Sequence, residues 1–304
     1  VVRSKFHPSK SNCALLNYDE FTGEYQAYPS NTKATDAVED ALLEFAGPDN
    51  FITTYRSDNA DEIRKALKLF KAHPDTSTPN RMSSKGYVET RVRIISEGAR
   101  CVLYQSGLPV DAWPEAIVYW CLGHNMVEEY TYPDGTVATP YFRKHGHECG
   151  APNIPFGALV VVKKTPPVLK AQEKSETKTM DCIFAGWKRK SGGAIGKSCL
   201  FWSLESILSN PGNLPALIET TDYELPVFDN IRFPLAEARD EALKHRCIGF
   251  QESEIGKVLD QVSTEYDNLF SVTSTPVSFT NLLENQPPSS NPDPGTIDGV
   301  HDNV

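Results

Sequence analysis

Two short apolar runs open the ordered pattern. Cys13 to Asp19 (CALLNYD) and Glu24 to Tyr28 (EYQAY) read as strands around a Glu20–Gly23 turn. Residues 32–46 then switch to helical spacing, with Ala34, Ala37, Val38, Ala41, Leu42 and Phe45 on one face. Asn31 or Thr32 is placed to cap this helix, and Gly47-Pro48 to stop it. Phe51 to Ser57 reads as a third strand. Residues 60–72 read as a second amphipathic helix, through Ile63, Ala66, Leu67 and Phe70. After a polar stretch from Thr76 to Lys85, a long helix spans 86–106. Its apolar stripe is Val88, Val92, Ile95, Ala99 and Val102. Asp111 is positioned to cap a further helix ending near Asn125. Strands mixed with helices in this order predict an α/β domain over residues 1–125.

The period changes downstream. Residues 126–155 are loop-rich. Residues 156–162, 182–187 and 199–207 read as strands with Gly-rich turns, which predicts a small β domain within 126–210. Residues 211–270 read as an acidic connector with one helix at 235–246. From Ser271 to Val304 the chain is rich in Ser, Thr, Pro and Asn and is expected to be a disordered tail.

Composition narrows the class. With 39% hydrophobic residues, a chain of 304 residues can bury a sizeable core, so wholesale disorder is excluded. No apolar run reaches the length of a membrane span. The opening VVRSKFHPSKSN has no apolar segment of the secretory type, and its first residue, Val1, suits a fragment or a processed product. Seven scattered cysteines without C-x-x-C spacing fit a reduced, soluble, intracellular protein. The net charge of −10 hides a strong asymmetry. Residues 151–210 carry 9 basic and 4 acidic side chains, net +5, and residues 211–304 carry 5 and 16, net −11. A basic segment followed by an acidic one can mark a nucleic-acid surface, or only solvated surface.

Three motifs bear on chemistry. Ser191 to Ser198 (SGGAIGKS) resembles a phosphate loop, but Ser191 replaces the required Gly and CLFWSL after it reads as a strand, so a turn between strands is favoured. His145-x-His147-x-Cys149 has metal-ligand residue types without a second pair at zinc spacing, which favours an unliganded loop. Asp58 ends a strand and Glu89 lies in the first turn of the long helix. Carboxylates meeting at such an edge can bind a hard divalent cation. Glu89, Arg93, Ser96 and Arg100 form a polar helix stripe; its plain reading is a solvated face with Glu89 and Arg93 paired at i, i+4.

The order of several short motifs resembles the integrase region of a copia-type retrotransposon polyprotein. Tyr18-Asp19-Glu20-Phe21-Thr22-Gly23 is similar to that family's D-x-[FY]-[ST] strand end. Arg56-Ser57-Asp58-Asn59, Ser77-Thr78-Pro79, Lys85-Gly86-Tyr87-Val88-Glu89 and Leu108-Pro109 with Trp113, Ala116 and Asn125 follow in the family's order. Thr139-Pro140-Tyr141, Phe156-Gly157, Asp181 to Trp187 and Gly192-Gly193 complete a likeness over residues 13–207.

The resemblance implies a ribonuclease-H-like mixed sheet with flanking helices, in which Asp58 and Glu89 are the second and third catalytic, metal-holding acids for magnesium or manganese. It also implies DNA as partner, metal-dependent strand transfer (DNA integration) as ancestral chemistry and the nucleus as location; a homo-oligomer is compatible with it. The first acid of the family lies on an earlier strand, and Val1 to Asn12 contains no Asp or Glu. Strand transfer by this chain is therefore not expected. Arg93, Arg100, Lys163, Lys164, Lys188, Arg189, Lys190 and Lys197 are the expected phosphate contacts, with Lys170 beside them. The alternative is a non-enzymatic module on the same scaffold that binds nucleic acid or protein. The strands at 13–18, 24–28 and 51–57 are expected to share one sheet.

Overall fold

The computed structural model describes residues 11–48, 52–57, 60–76, 82–164, 177–210, 213–224 and 230–247. Asp58, Lys170 and the expected tail at 271–304 lie outside the described residues.

Strand β1 (Cys13–Tyr18) pairs antiparallel with β2 (Tyr25–Ser30), from Cys13↔Ser30 to Tyr18↔Tyr25. The Asp19 carboxylate builds the turn, accepting from the Phe21 N–H at 3.0 Å and the Thr22 hydroxyl at 2.8 Å. Gly23 closes it at φ +77°. Helix α1 (Thr35–Ala46) buries Val38, Ala41, Leu42 and Ala46. Its N-cap is Ala34, without a side-chain bond. Thr32 Oγ1 instead accepts from the Ala34 N–H at 3.1 Å, ahead of the helix.

Strand β3 (Thr54–Ser57), helix α2 (Asp61–Leu67) and strand β4 (His73–Thr76) form a parallel β–α–β unit in the register Thr54↔His73. Helix α2 is shorter than the expected 60–72. Its end tightens into i to i+3 bonds (Leu69 N–H to Ala66 O, Phe70 N–H to Leu67 O), and Lys71 at φ +51° breaks the helical path.

The expected common sheet over 13–57 is not what the described residues form. β1–β2 and β3–β4 are separate two-stranded ladders. They meet through side chains. Leu15 and Tyr55 pack on a cluster of Val38, Leu42, Ile52 and Leu67, and the Tyr55 hydroxyl donates to Asn17 Oδ1 at 2.6 Å. Among the described residues the expected mixed α/β class holds, and the two ladders leave a space between them.

Helix α3 (Met82–Ser106) lays Ile95 and Ala99 against Tyr25 and Ala27 of β2 and against Ile117 and Cys121 of α4 (Trp113–Val127). Gly98 permits that crossing: a Cβ there would stand 2.0 Å from the Trp120 indole nitrogen. Asn125 of α4 acts as a strand neighbour to β2, since its Oδ1 accepts from Tyr25 N–H at 2.9 Å and its Nδ2 donates to Tyr25 O at 2.7 Å. The expected Asp111 cap is absent; Asp111 sits in a 3₁₀ turn and Ala112 is the N-cap.

A hairpin of β5 (Tyr130–Thr131) and β6 (Val137–Ala138) leads to α5 (Pro140–His145). The Thr139 side chain caps α5 by accepting from Phe142 N–H at 3.1 Å. Thr139→Ala is expected to cost about 1 kcal/mol, read as a fall of roughly 2–4 °C in Tm.

The second half centres on β7 (Leu159–Lys163), β8 (Thr179–Arg189) and β9 (Ile195–Ser203), followed by α6 (Leu204–Ser209) and two edge strands, β10 (Ile218–Thr220) and β11 (Tyr223–Glu224). The order is β10-β9-β8-β7-β11, antiparallel throughout. Only Thr221 and Asp222 link the two edges. Edges of a flat five-stranded sheet lie ~19 Å apart, and three residue steps reach at most ~11 Å. The sheet is therefore curled toward a barrel. The segment expected to begin an acidic connector at residue 211 instead supplies both edges of this sheet. Helix α7 (Pro234–Cys247) then returns to α3, where Gly107 at φ +69° lets Ala236 approach.

Seven α-helices, a five-stranded sheet and three two-stranded ladders thus lie among the described residues. Leu103, Leu108, Ala112 and Ala116 share one core with Ile183, Ala185 and Trp202, so packing is continuous across residue 126. No helix among the described residues is long and apolar enough to cross a membrane.

Candidate nucleic-acid interface

Strand β8 is buried from Cys182 to Trp187 because apolar clusters cover both of its faces. Charge is therefore confined to its ends. At one end Lys163 pairs with Thr179 across the β7–β8 ladder, and the Lys164 N–H bonds to Lys178 O at 2.9 Å. At the other end Lys188 and Lys190 flank the turn, and Lys197 lies on the facing strand. Lys163, Lys188, Lys190 and Lys197 are exposed and Lys164 is half-buried. Nine strand steps separate Thr179 from Lys188, about 30 Å along β8. The basic segment thus presents two cationic ends and not one continuous patch. Glu219 of β10 sits at the second end, 3.1 Å from Lys188 Nζ and accepting from the Ser198 hydroxyl at 2.8 Å.

Arg189 is placed differently from its neighbours. Its guanidinium points inward, 3.0 Å from Glu44, donates to Ala27 O at 2.8 Å and lies over the Tyr28 ring. Arg189 is the last residue of β8, beside a shift in register with β9, and there it faces opposite the exposed Lys188. The strand expected at 182–187 stops short of Arg189. Arg189 is thus part of a buried polar seam between the β1–β2 ladder and the β8–β9 turn.

The centre of the seam is Glu24. It is buried and ion-paired with Lys144, whose Nζ also lies over the Phe45 ring. Loss of solvent raises the Glu24 carboxyl above its ordinary value, and Lys144 opposes that rise. Gln26 stands beside it, accepting from the Tyr28 hydroxyl. Gly193, at φ +85°, closes over the pair: a Cβ there would meet Gln26 Nε2 at 2.1 Å and Glu24 Oε1 at 2.5 Å. The SGGAIGKS segment is thus a turn between strands, as its sequence indicates, and its glycines serve this close approach.

The expected meeting of Asp58 and Glu89 falls outside the described residues. Glu89 is exposed on α3, and Asp58 follows the last described residue of β3, Ser57. Among the described residues no group of three or more His, Cys, Asp or Glu side chains is arranged to hold a metal ion. Arg93 is exposed and lies 4.0 Å from Glu97. The expected partner was Glu89, one turn earlier. Arg100 is half-buried on the same helix. His145 and His147 have ring centroids 6.2 Å apart, and burial lowers the His145 imidazole to about 4.

A cavity of about 530 Å³ occupies the space between the two ladders. Leu16, Asn17, Tyr55, Val88 and Val92 are among its walls; Glu89 is not. Nothing in the strand patterns signals it, because it depends on which strands pair.

No family model and no curated protein matches the chain. Among solved structures, it is similar to a chain of the cryo-EM structure of the simian T-cell lymphotropic virus intasome in complex with PP2A regulatory subunit B56 gamma, at a TM-score of 0.34 and 15% identity, over 71% of this chain and 72% of that chain.

Proposed function

We propose that the chain is an integrase-core-like scaffold that holds DNA through the curled sheet. The observation that supports DNA binding is the pair of lysine groups at the two ends of β8. A duplex turn is ~34 Å long, comparable to their ~30 Å separation. The ordered motifs over residues 13–207 support the integrase-like ancestry. In this reading Lys163, Lys164, Lys188, Lys190 and Lys197 contact phosphates, Arg93 and Arg100 belong to a separate helix face, and Arg189 positions the turn.

Phosphate contacts release counterions, so affinity for a 30-base-pair duplex is expected to fall steeply with salt. Replacing Lys188, Lys190 and Lys197 with Gln should weaken binding similarly for all sequences and lower the log–log salt slope by about 2.7. Fluorescence anisotropy at several salt concentrations reads both effects; an unchanged slope would sink the assignment. Truncation to relieve acidic charge should begin after Cys247, because β10, β11 and α7 belong to the folded part.

A further inference from the structure

We propose that the second cationic end of β8 is a seat for a single phosphate group, built by Lys188, Ser198 and Lys190 and filled in the free chain by the carboxylate of Glu219. That the phosphate comes from DNA rests on the reading above; the seat itself does not.

Glu219 is held as an oxyanion is held, at both oxygens. Its Oε2 lies 3.1 Å from Lys188 Nζ, and its Oε1 accepts from the Ser198 hydroxyl at 2.8 Å. An ammonium and a hydroxyl so placed suit phosphate oxygens as well as carboxylate oxygens. Lys190 stands beside them. A Cβ at Gly196 would lie 3.7 Å from Lys188 Cβ and 3.7 Å from Lys190 Cε, so both lysine side chains pass close to Gly196. The framework beneath is fixed: Trp187 pairs with Cys199 in the core, and the Lys190 N–H bonds to Ala194 O at 2.7 Å across the turn.

Glu219 is placed to leave. Its backbone is held by the pairing of Glu219 with Leu200, and its neighbour Ile218 packs on the core. Only the side chain has to move. The Lys188 and Glu219 side chains are 50% and 46% exposed, and an exposed ion pair is worth a factor of about five at most. The Ser198 hydroxyl is the main cause that holds the Glu219 carboxyl below its ordinary value, with burial opposing and Lys188 assisting. That hydroxyl has one hydrogen, so it serves Glu219 or a phosphate and not both. A phosphate that enters must therefore displace Glu219, and the freed carboxylate then opposes it with like charge.

Glu219→Gln removes the competing charge and keeps the shape. In the full chain, at about 50 mM salt, its affinity for the duplex should rise about fivefold. The salt slope should not change, because the same phosphates are neutralised. Glu129→Gln makes an equal change in net charge at an exposed residue after α4, and should alter affinity by less than about twofold. Inorganic phosphate, followed by NMR at Lys188 and Ser198, tests the seat without DNA. The Glu219→Gln chain should show a saturable shift at about fivefold lower phosphate than the unaltered chain, and adding Ser198→Ala should raise that concentration again. No saturable shift in Glu219→Gln, or one at the same phosphate concentration in both chains, would overturn the proposal. So would a salt-dependent duplex affinity that Glu219→Gln leaves unchanged or lowers. A saturable, displaced shift beside a duplex affinity indifferent to salt upholds the seat and sinks the DNA reading instead.

Discussion

Lys144→Met is expected to destabilise the protein by about 3–5 kcal/mol at neutral pH, the scale for a buried ion pair that loses one partner. The pair is enclosed: Glu24 is 1% exposed and Lys144 11%. Removing the ammonium leaves Glu24 among Gln26, Phe45 and the Gly193 turn with no counter-charge. The carboxyl would then have to protonate or unfold its surroundings. Below the ordinary carboxylate range the loss should shrink, since Glu24 is protonated in both the folded and the unfolded chain. Adding Glu24→Gln to Lys144→Met should recover much of the loss, by removing the buried charge. Urea titrations of both single variants and the double variant measure this directly. Strict additivity of the two single losses would show that the side chains act independently.

Glu115→Gln should stabilise the protein at alkaline pH and do little at pH 5. Glu115 lies in the first turn of α4, is buried, and its Oε2 has no hydrogen-bond partner among the described residues. Burial pushes its carboxyl up to about 8, against a weaker opposing effect from its own backbone N–H. A raised folded-state value favours the protonated form. The associated stability is fully present below the unfolded carboxyl's value and is lost as pH rises through about 8. A rise from 4.5 to about 8 corresponds to at most about 4–5 kcal/mol. Gln keeps the shape and the neutral charge, so its stability should not fall over that range on account of this site. Denaturant titrations at pH 5 and pH 9 give the comparison, and an equal gain at both would show that packing, not ionisation, governs the position.

Elements governed by their own residues were legible in the sequence. The apolar run CALLNYD marked β1, and the stripe through Ile95 and Ala99 marked α3. Gly47 marked the end of α1, and residues 235–246 marked α7. Elements that depend on distant partners were not legible. His73–Thr76 carries Pro74 and little apolar character, and it becomes a strand only because Thr54–Ser57 offers an edge. Tyr223-Glu224 becomes a strand only because the sheet curls far enough for it to reach β7. The same distinction divides the candidate site. The lysines were visible as a basic segment, but their separation into two ends follows from how β8 is covered. The inward turn of Arg189 was not legible, because β8 runs past the expected Trp187 to Arg189 through a shift in register. Nor was the cavity beside Asn17, because it arises from a pairing that the described strands do not make.

The core shared by α3, α4 and the curled sheet also bears on how the chain is made. Ala112 and Ala116 leave the ribosome well before Ile183 and Trp202, which cover them. At ~5–20 residues per second, the apolar face of α4 waits on the order of ten seconds for its cover. During that interval the nascent chain exposes a hydrophobic surface that its first half has no means to bury. Its yield in cells should therefore depend on chaperones that occupy that surface during translation.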